Sequence, residues 1–314
     1  MAMSSPPEQP IAAKLDRHTL ETLVDQYLDA VVAHDPSQLP LAKDVRFTEQ
    51  GQELELGDGF WQTASGIGKY KHYFCDPEAG QVGFFGTVVE NGTPALMGLR
   101  MRVELGRITE IETGFYRKGG GPGWNDQGID RLNQQGKPLD IWLRDVPSAE
   151  RLSRQELITT ANYYFAGLQN NDGNGYYPFT DDCNRFENGY PTSNNPDVAA
   201  AGAAYNPMAM KVKDSMAAGY YSIVTSIYDR RFPVVDRERG AVLAFAVFGM
   251  NGAVHSVRLQ NGQEVPLPMF SRPTSLFVFE AFKIDKGLIA QVEALVVTVP
   301  YGMRTGWPGG VLGS

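Results

Sequence analysis

Between Phe179 and Gly189 the chain packs Asp181, Asp182 and Glu187 together with Arg185 among aromatic residues. Carboxylates walled by aromatic rings suit general acid–base chemistry, because a low-polarity environment disfavours the charged form and lets the group exchange protons near neutrality. Asp182, Arg185 and Glu187 are therefore the first catalytic candidates. The same skeleton occurs earlier, since Asp44, Glu49 and Gly51 have the spacing of Asp182, Glu187 and Gly189. A motif present twice also admits a structural reading, a turn whose carboxylates accept backbone N–H bonds. Arg185 separates the two readings, because Phe47 stands in its place in the earlier copy.

Tyr164, Tyr220 and Tyr221 are candidate substrate-binding phenols, or else core aromatics. Arg230 and Arg231 are neighbours on a predicted strand, so alternation sends one inward and the other to solvent. An inward arginine beside a carboxylate forms an ion pair or anchors an oxyanion or phenolate. His255 is a candidate proton shuttle, imidazole being the side chain that titrates near neutral pH, although a loop histidine also sits naturally in water. His72, near Tyr70 and Trp61, is the corresponding candidate in the first copy. His18, His34, His72 and His255 show no metal-ligand spacing, and neither a Gly-x-Ser-x-Gly elbow nor a phosphate-binding loop occurs. The Gly-rich run Lys118–Trp124 contains Pro122, which removes a backbone donor, and reads as a linker or lid. The expected chemistry needs no cofactor.

The elements that must position these residues also come in two sets. At 314 residues the chain is long enough for two domains with a core each. Residues 1–15, rich in Pro, Ser and Gln, read as a flexible arm. Leu20, Leu23, Val24, Tyr27, Leu28, Val31 and Val32 follow helical spacing up to Asp35-Pro36. A hairpin, Lys69–Phe74 and Gln81–Glu90 around Asp76-Pro77-Glu78-Ala79-Gly80, comes next, and then strands over Ala95–Leu105 and Ile108–Arg117. From Ser153 the order begins again. Ser153 and Glu156 form a capping box, and Leu157, Ile158, Ala161, Tyr164, Phe165 and Leu168 supply a helix face. Asp236 and Gly240 match Asp76 and Gly80, Glu293 matches Glu112, and Trp307 matches Trp124. The second copy is longer in two places: Gly51 to Asp76 is 25 residues against 47 from Gly189 to Asp236, and Gly80 to Glu112 is 32 against 53 from Gly240 to Glu293. The insertions fall on Pro191 to about Lys213 and on about Met250 to Arg272, the latter carrying His255, and long extra loops are where function is grafted. The fold class is α+β: domain 1 over 16–124, a linker over 125–151, and domain 2 over 152–314.

A net charge of −8 and a pI near 5.1 lack the basic footprint that nucleic acids or anionic membranes require. Two cysteines do not make a disulfide framework, and no basic region leads into an apolar run, so a soluble cytoplasmic protein is expected.

The opening helix with its Tyr-bearing face, the Asp/Glu motif, the hairpin and paired strands such as Phe277–Ile284 resemble the nuclear transport factor 2-like superfamily, which includes SnoaL-like cyclases, steroid isomerases and scytalone dehydratase. The resemblance covers about 16–124 and 152–307. It implies two tandem cone-shaped domains, each of helices packed on a curved antiparallel sheet, with an apolar pocket. The tandem arrangement, the run Asp182–Gly189 and the ending Val299–Trp307 are similar to a narrower group that includes bacterial γ-formaldehyde lyases of lignin-derived aromatic dimers. That likeness implies a small aromatic diol as substrate and a carbon–carbon lyase, with an isomerase, a dehydratase or a non-catalytic binding protein as alternatives. Trp307 joins the substrate-binding candidates on the same ground. Sheet faces and edges in this superfamily associate, so a homo-oligomer is expected.

Overall fold

A stripe of Leu20, Val24, Tyr27, Leu28 and Val31 buries one side of α1 (Arg17–Val32), and Asp16 caps its start by accepting from the Thr19 amide. The computed structural model describes residues 15–120, 123–169, 171–199, 205–267 and 271–308; all of the N-terminal arm but Leu15 lies outside them. Beyond α1 the first half runs β1 (Leu41–Glu49), β2 (Gln52–Glu53), α2 (Phe60–Thr63), β3 (Ala64–Asp76), β4 (Gln81–Glu90), β5 (Thr93–Glu104) and β6 (Arg107–Arg117). Two helices follow, α3 (Gly123–Gln135) and α4 (Asp140–Leu143). The second half begins with α5 (Arg154–Gln169), whose capping box forms as the sequence predicts, Ser153 and Glu156 bonding reciprocally. It continues through β7 (Phe179–Glu187), β8 (Tyr190–Pro191), α6 (Pro196–Ala199) and α7 (Val212–Ala217) to β9 (Ser226–Asp236), β10 (Ala241–Met250), β11 (Ser256–Arg258), β12 (Glu264–Pro266), β13 (Thr274–Asp285) and β14 (Leu288–Val299).

The halves are alike. One six-stranded sheet has the order β2-β1-β6-β5-β4-β3 and the other β8-β7-β14-β13-β10-β9. In each, the strand carrying the Asp/Glu motif runs parallel to the last strand and every other pairing is antiparallel. The chain is thus an α+β protein of two similar domains, each a curved sheet with a few helices. Among the described residues no helix is long and apolar enough to cross a membrane.

Strand alternation gives each sheet two buried faces. In β5, Ala95, Met97, Leu99, Met101 and Val103 face α1, and in β13, Val278, Phe282 and Ile284 face α5. The opposite faces meet each other, with Phe85, Leu96 and Tyr116 of the first sheet packed with Leu243, Phe245, Phe277 and Phe279 of the second. Glycines let the sheets approach. A Cβ on Gly83 would stand 2.3 Å from Leu243, and one on Gly98 would stand 2.3 Å from Phe279. The segment expected as a linker is built into this sandwich, because Ile129 and Leu132 of α3 and Trp142 of α4 are buried between the sheets. An apolar stripe at helical spacing, Ile129 and Leu132, was the overlooked signal there. Residues 121 and 122 of the Gly-rich run, and the side chain of Trp124, lie outside the described part.

The two inserted segments lie together over α5 and the inner face of the second sheet. Val212 from one, with Met216 and Ile223 just after it, and Val257, Leu259 and Leu267 from the other share the second domain's core. Gln260 donates its backbone N–H to Ala218 O at 3.0 Å, joining them directly.

Candidate functional site

β7 alternates from Asp182 onward, after an irregularity in its pairing with β14 between Phe179 and Asn184. Cys183 and Arg185 point into the core beneath α5, whereas Asp181 and Asp182 are exposed and Glu187, at the strand's end, is half-buried. Arg185 is held from several elements. Its Nε donates to Thr192 Oγ1 at 3.0 Å and lies 3.2 Å from the Glu187 carboxylate, and its Nη2 donates to Thr192 O at 3.1 Å. Nη2 also donates to the Tyr221 hydroxyl at 2.7 Å, and Nη1 reaches Tyr164 Oη on α5 at 3.4 Å. Tyr221 lies on a single 3-10 turn, Tyr220–Ile223, between the first insertion and β9. Tyr220 crosses Tyr221 edge-on at 5.4 Å and packs against Tyr205 at 5.3 Å.

On the same sheet face, β13 delivers Glu280, which pairs with Ala294 as Ala294 pairs with Glu187, and which is 2% exposed in a strand whose neighbours are apolar on both faces. Its Oε2 is buried with no hydrogen-bond partner among the described residues. Burial first, and the charge of Glu187 second, push its pKa up to about 8, with Arg185 and the Tyr164 hydroxyl acting in the other direction. Burial likewise lifts the Tyr164 phenol well above its usual value and the Cys183 thiol to about 12, so both stay protonated at neutral pH.

The same positions in the first half are apolar. Phe47 pairs with Ile111, just before Glu112, as Arg185 pairs with Val292, just before Glu293. Leu99 pairs with the residue after Glu112 as Glu280 pairs with the residue after Glu293. A buried Phe47 and Leu99 thus correspond to a buried arginine and a carboxyl, and buried ionisable groups oppose folding unless they are well paired.

Of the candidates read from the sequence, the fold brings together Arg185, Glu187, Tyr164 and Tyr221, with Tyr220 beside them. Asp182 is exposed, and its carbonyl accepts from Asn184 Nδ2. His255 is exposed on the second insertion, where its carbonyl accepts from the Leu267 amide. Arg230 turns to α5, bonding Asn162 Oδ1 and Gln169 Oε1, while Arg231 points between the sheets and donates to both oxygens of Glu112. Trp307 lies on the first domain, its ring under the Arg46 and Arg100 guanidinium groups at 4.3 and 4.6 Å and its Nε1 donating to Thr48 Oγ1. His72 bonds Glu293 at 3.0 Å and Tyr70 donates to the same carboxylate at 2.6 Å, all three between the sheets. Glu280 and Thr192 went unnoticed in the sequence. The signal for Glu280 was a lone carboxylate inside Phe277–Ile284, where every other residue but Lys283 is apolar.

The chain belongs to the family described as a domain of unknown function (DUF8021), matching it over residues 13–115 and 150–296. No curated protein matches the chain. Among solved structures it is similar to a de novo designed protein with a curved β-sheet, at 18% identity, covering 38% of this chain and 99% of that one with a TM-score of 0.28.

Proposed function

We propose that the two halves are cones of the nuclear transport factor 2-like type and that the second is a cofactor-independent general acid–base catalyst, a carbon–carbon lyase acting on a small aromatic diol. The observation that carries this reading is Glu280, a carboxyl buried in the row of Glu187 on the sheet face that bears Arg185, with one oxygen left unpartnered among the described residues. Removing formaldehyde from a 1,3-diol needs two proton transfers. A carboxylate takes the proton of the hydroxymethyl O–H, and the carbon–carbon bond breaks as formaldehyde forms. Its electrons become a carbon–carbon double bond, and the other hydroxyl leaves as water with a proton from an acid. Glu280, kept protonated by burial, is an acid of this kind, and Glu187, half-buried beside Arg185, is the carboxylate placed to act as base. Arg185 steadies the oxygen on which negative charge develops, and the Tyr164 hydroxyl is a further donor.

Incubation with diaryl propanediols, followed by formaldehyde assay and mass analysis, tests this. The wild type releases formaldehyde, and Glu280→Gln loses on the order of a hundredfold or more in rate, the worth of a positioned acid–base group, with a melting temperature within a few degrees. Absence of product across the diol panel, or full activity in Glu280→Gln, would overturn the reading. Loss of water without formaldehyde would overturn the lyase assignment in favour of a dehydratase.

A further inference from the structure

Among the described residues, Tyr221 is the one partner of Arg185 that belongs neither to the second sheet, nor to the residues leading directly out of it, nor to α5. Thr192 follows β8, Glu187 ends β7 and Tyr164 is on α5, whereas Tyr221 sits on the short 3-10 turn between the first insertion and β9. Gly219 precedes that turn at φ 79°, a left-handed conformation natural to glycine. Ile223 anchors the turn in the second domain's core, and the Tyr221 end is held by hydrogen bonds: the Tyr221 amide donates to Asn171 Oδ1 at 2.7 Å, its hydroxyl donates to Ser215 Oγ at 3.3 Å, and Gln260 holds Ala218. The first half has Phe47 in place of Arg185, and its own short turn before β3, Phe60–Thr63 after Gly59, carries Trp61 where the second carries Tyr221, so the guanidinium and the phenol that meets it both belong to the second half alone. Beside them lie two buried oxygens without partners among the described residues, Glu280 Oε2 and Tyr205 Oη. The Tyr205 ring, with Tyr220, lines the aromatic flank next to Tyr221.

We propose that Tyr221 is a displaceable latch whose phenol occupies the place of a ligand's phenolic hydroxyl, so that the site takes a 4-hydroxyphenyl compound that replaces Tyr221 on Arg185. This rests on reading the Arg185–Glu280 cluster as a ligand site. The incoming hydroxyl accepts from Arg185 Nη2, and the ring takes the aromatic surroundings that Tyr220 and Tyr205 give to Tyr221. With the latch displaced, Glu280 faces the ligand instead of a closed core.

Calorimetric titration of the full chain with p-cresol and with toluene provides the test, since the two differ by one hydroxyl. Wild type binds p-cresol at least tenfold more tightly than toluene. Tyr221→Phe, which removes only the competing hydroxyl, binds p-cresol about tenfold more tightly again, the worth of one hydrogen bond to a charged group, and leaves toluene affinity unchanged. Equal affinity for the two ligands, or weaker p-cresol binding in Tyr221→Phe, would overturn the latch. The catalytic reading fails separately: p-cresol binding with this pattern but no turnover on the diol panel leaves the latch standing, whereas turnover that p-cresol does not inhibit removes the latch alone.

Discussion

Asp76 and Asp236 occupy each other's mirror position across the two sheets. Asp76, at the end of β3, accepts from the Val235 amide and from Arg154, the first residue of α5; Asp236, at the end of β9, accepts from the Cys75 amide and from Arg17, the first residue of α1. Both carboxylates are 1% exposed. A second crossed pair accompanies them, Glu112 of the first half with Arg231 and Glu293 of the second with His72. Each half thus completes hydrogen bonds that the other cannot make internally. Asp76→Ala, which strands a buried N–H and a guanidinium, should cost about 2–4 kcal/mol. Urea unfolding followed by tryptophan fluorescence and by circular dichroism should remain one coincident transition. Two separated transitions would show that the halves are not coupled.

Replacing Arg185 by Phe and Glu280 by Leu recreates the apolar pair of the first half. Either change alone leaves buried polar partners stranded and should destabilise by about 2–4 kcal/mol. The double variant should lose less than the sum of the two, because groups in one network are not additive. Strict additivity in a denaturation cycle would mean that the two side chains do not interact.

Stability should depend on pH in two adjoining windows of opposite slope. The folded chain keeps a proton on Glu280 that the unfolded chain gives up between 4.5 and about 8, so this stabilisation is full below pH 4.5 and is lost as pH rises to about 8. Lys283 is buried with its ammonium donating to the carbonyls of Arg144 and Arg239, and burial first, with the charge of Arg144 second, lowers its pKa from 10.5 to about 8. There the unfolded chain holds the extra proton, so stability rises with pH from about 8 to 10.5. Glu280→Gln should abolish the falling limb only and Lys283→Met the rising limb only, read from unfolding free energies across pH.

The approach of the sheets at Gly98 should tolerate no side chain. Gly98→Ala places a methyl against the Phe279 ring and should cost about 1–3 kcal/mol through overpacking. Phe279→Leu in the same chain should recover part of that loss in thermal melts; a neutral Gly98→Ala would mean that the sheets separate freely.

The two-fold repetition was legible because Asp76, Gly80, Asp236 and Gly240 punctuate hairpins with turn chemistry, and because α1 and α5 carry clean apolar stripes. Spacing also exposed the insertions and singled out Arg185. What spacing cannot tell is which face meets which partner. Alternation leaves open whether Arg230 or Arg231 turns inward and whether it forms an ion pair or anchors a ligand; Arg231 forms the ion pair, between the sheets, and its partner Glu112 is far away in sequence. Trp307 matched Trp124 in position, but its place under Arg46 and Arg100 depends on how the chain end crosses to the first domain. Glu280 was hidden by its surroundings, since alternation carries no information where a strand is apolar on both faces.

The crossed pairing of Glu112 with Arg231 has a meaning for synthesis as well as for stability. When the ribosome has delivered the first sheet, Glu112 has Arg100 beside it but must wait for Arg231, and the clefts at Gly83 and Gly98 stand open to water until Leu243 and Phe279 arrive. The first domain is therefore born with an exposed apolar face, so the interval between completing β6 and completing β13 is the period in which the nascent chain most needs protection from its neighbours.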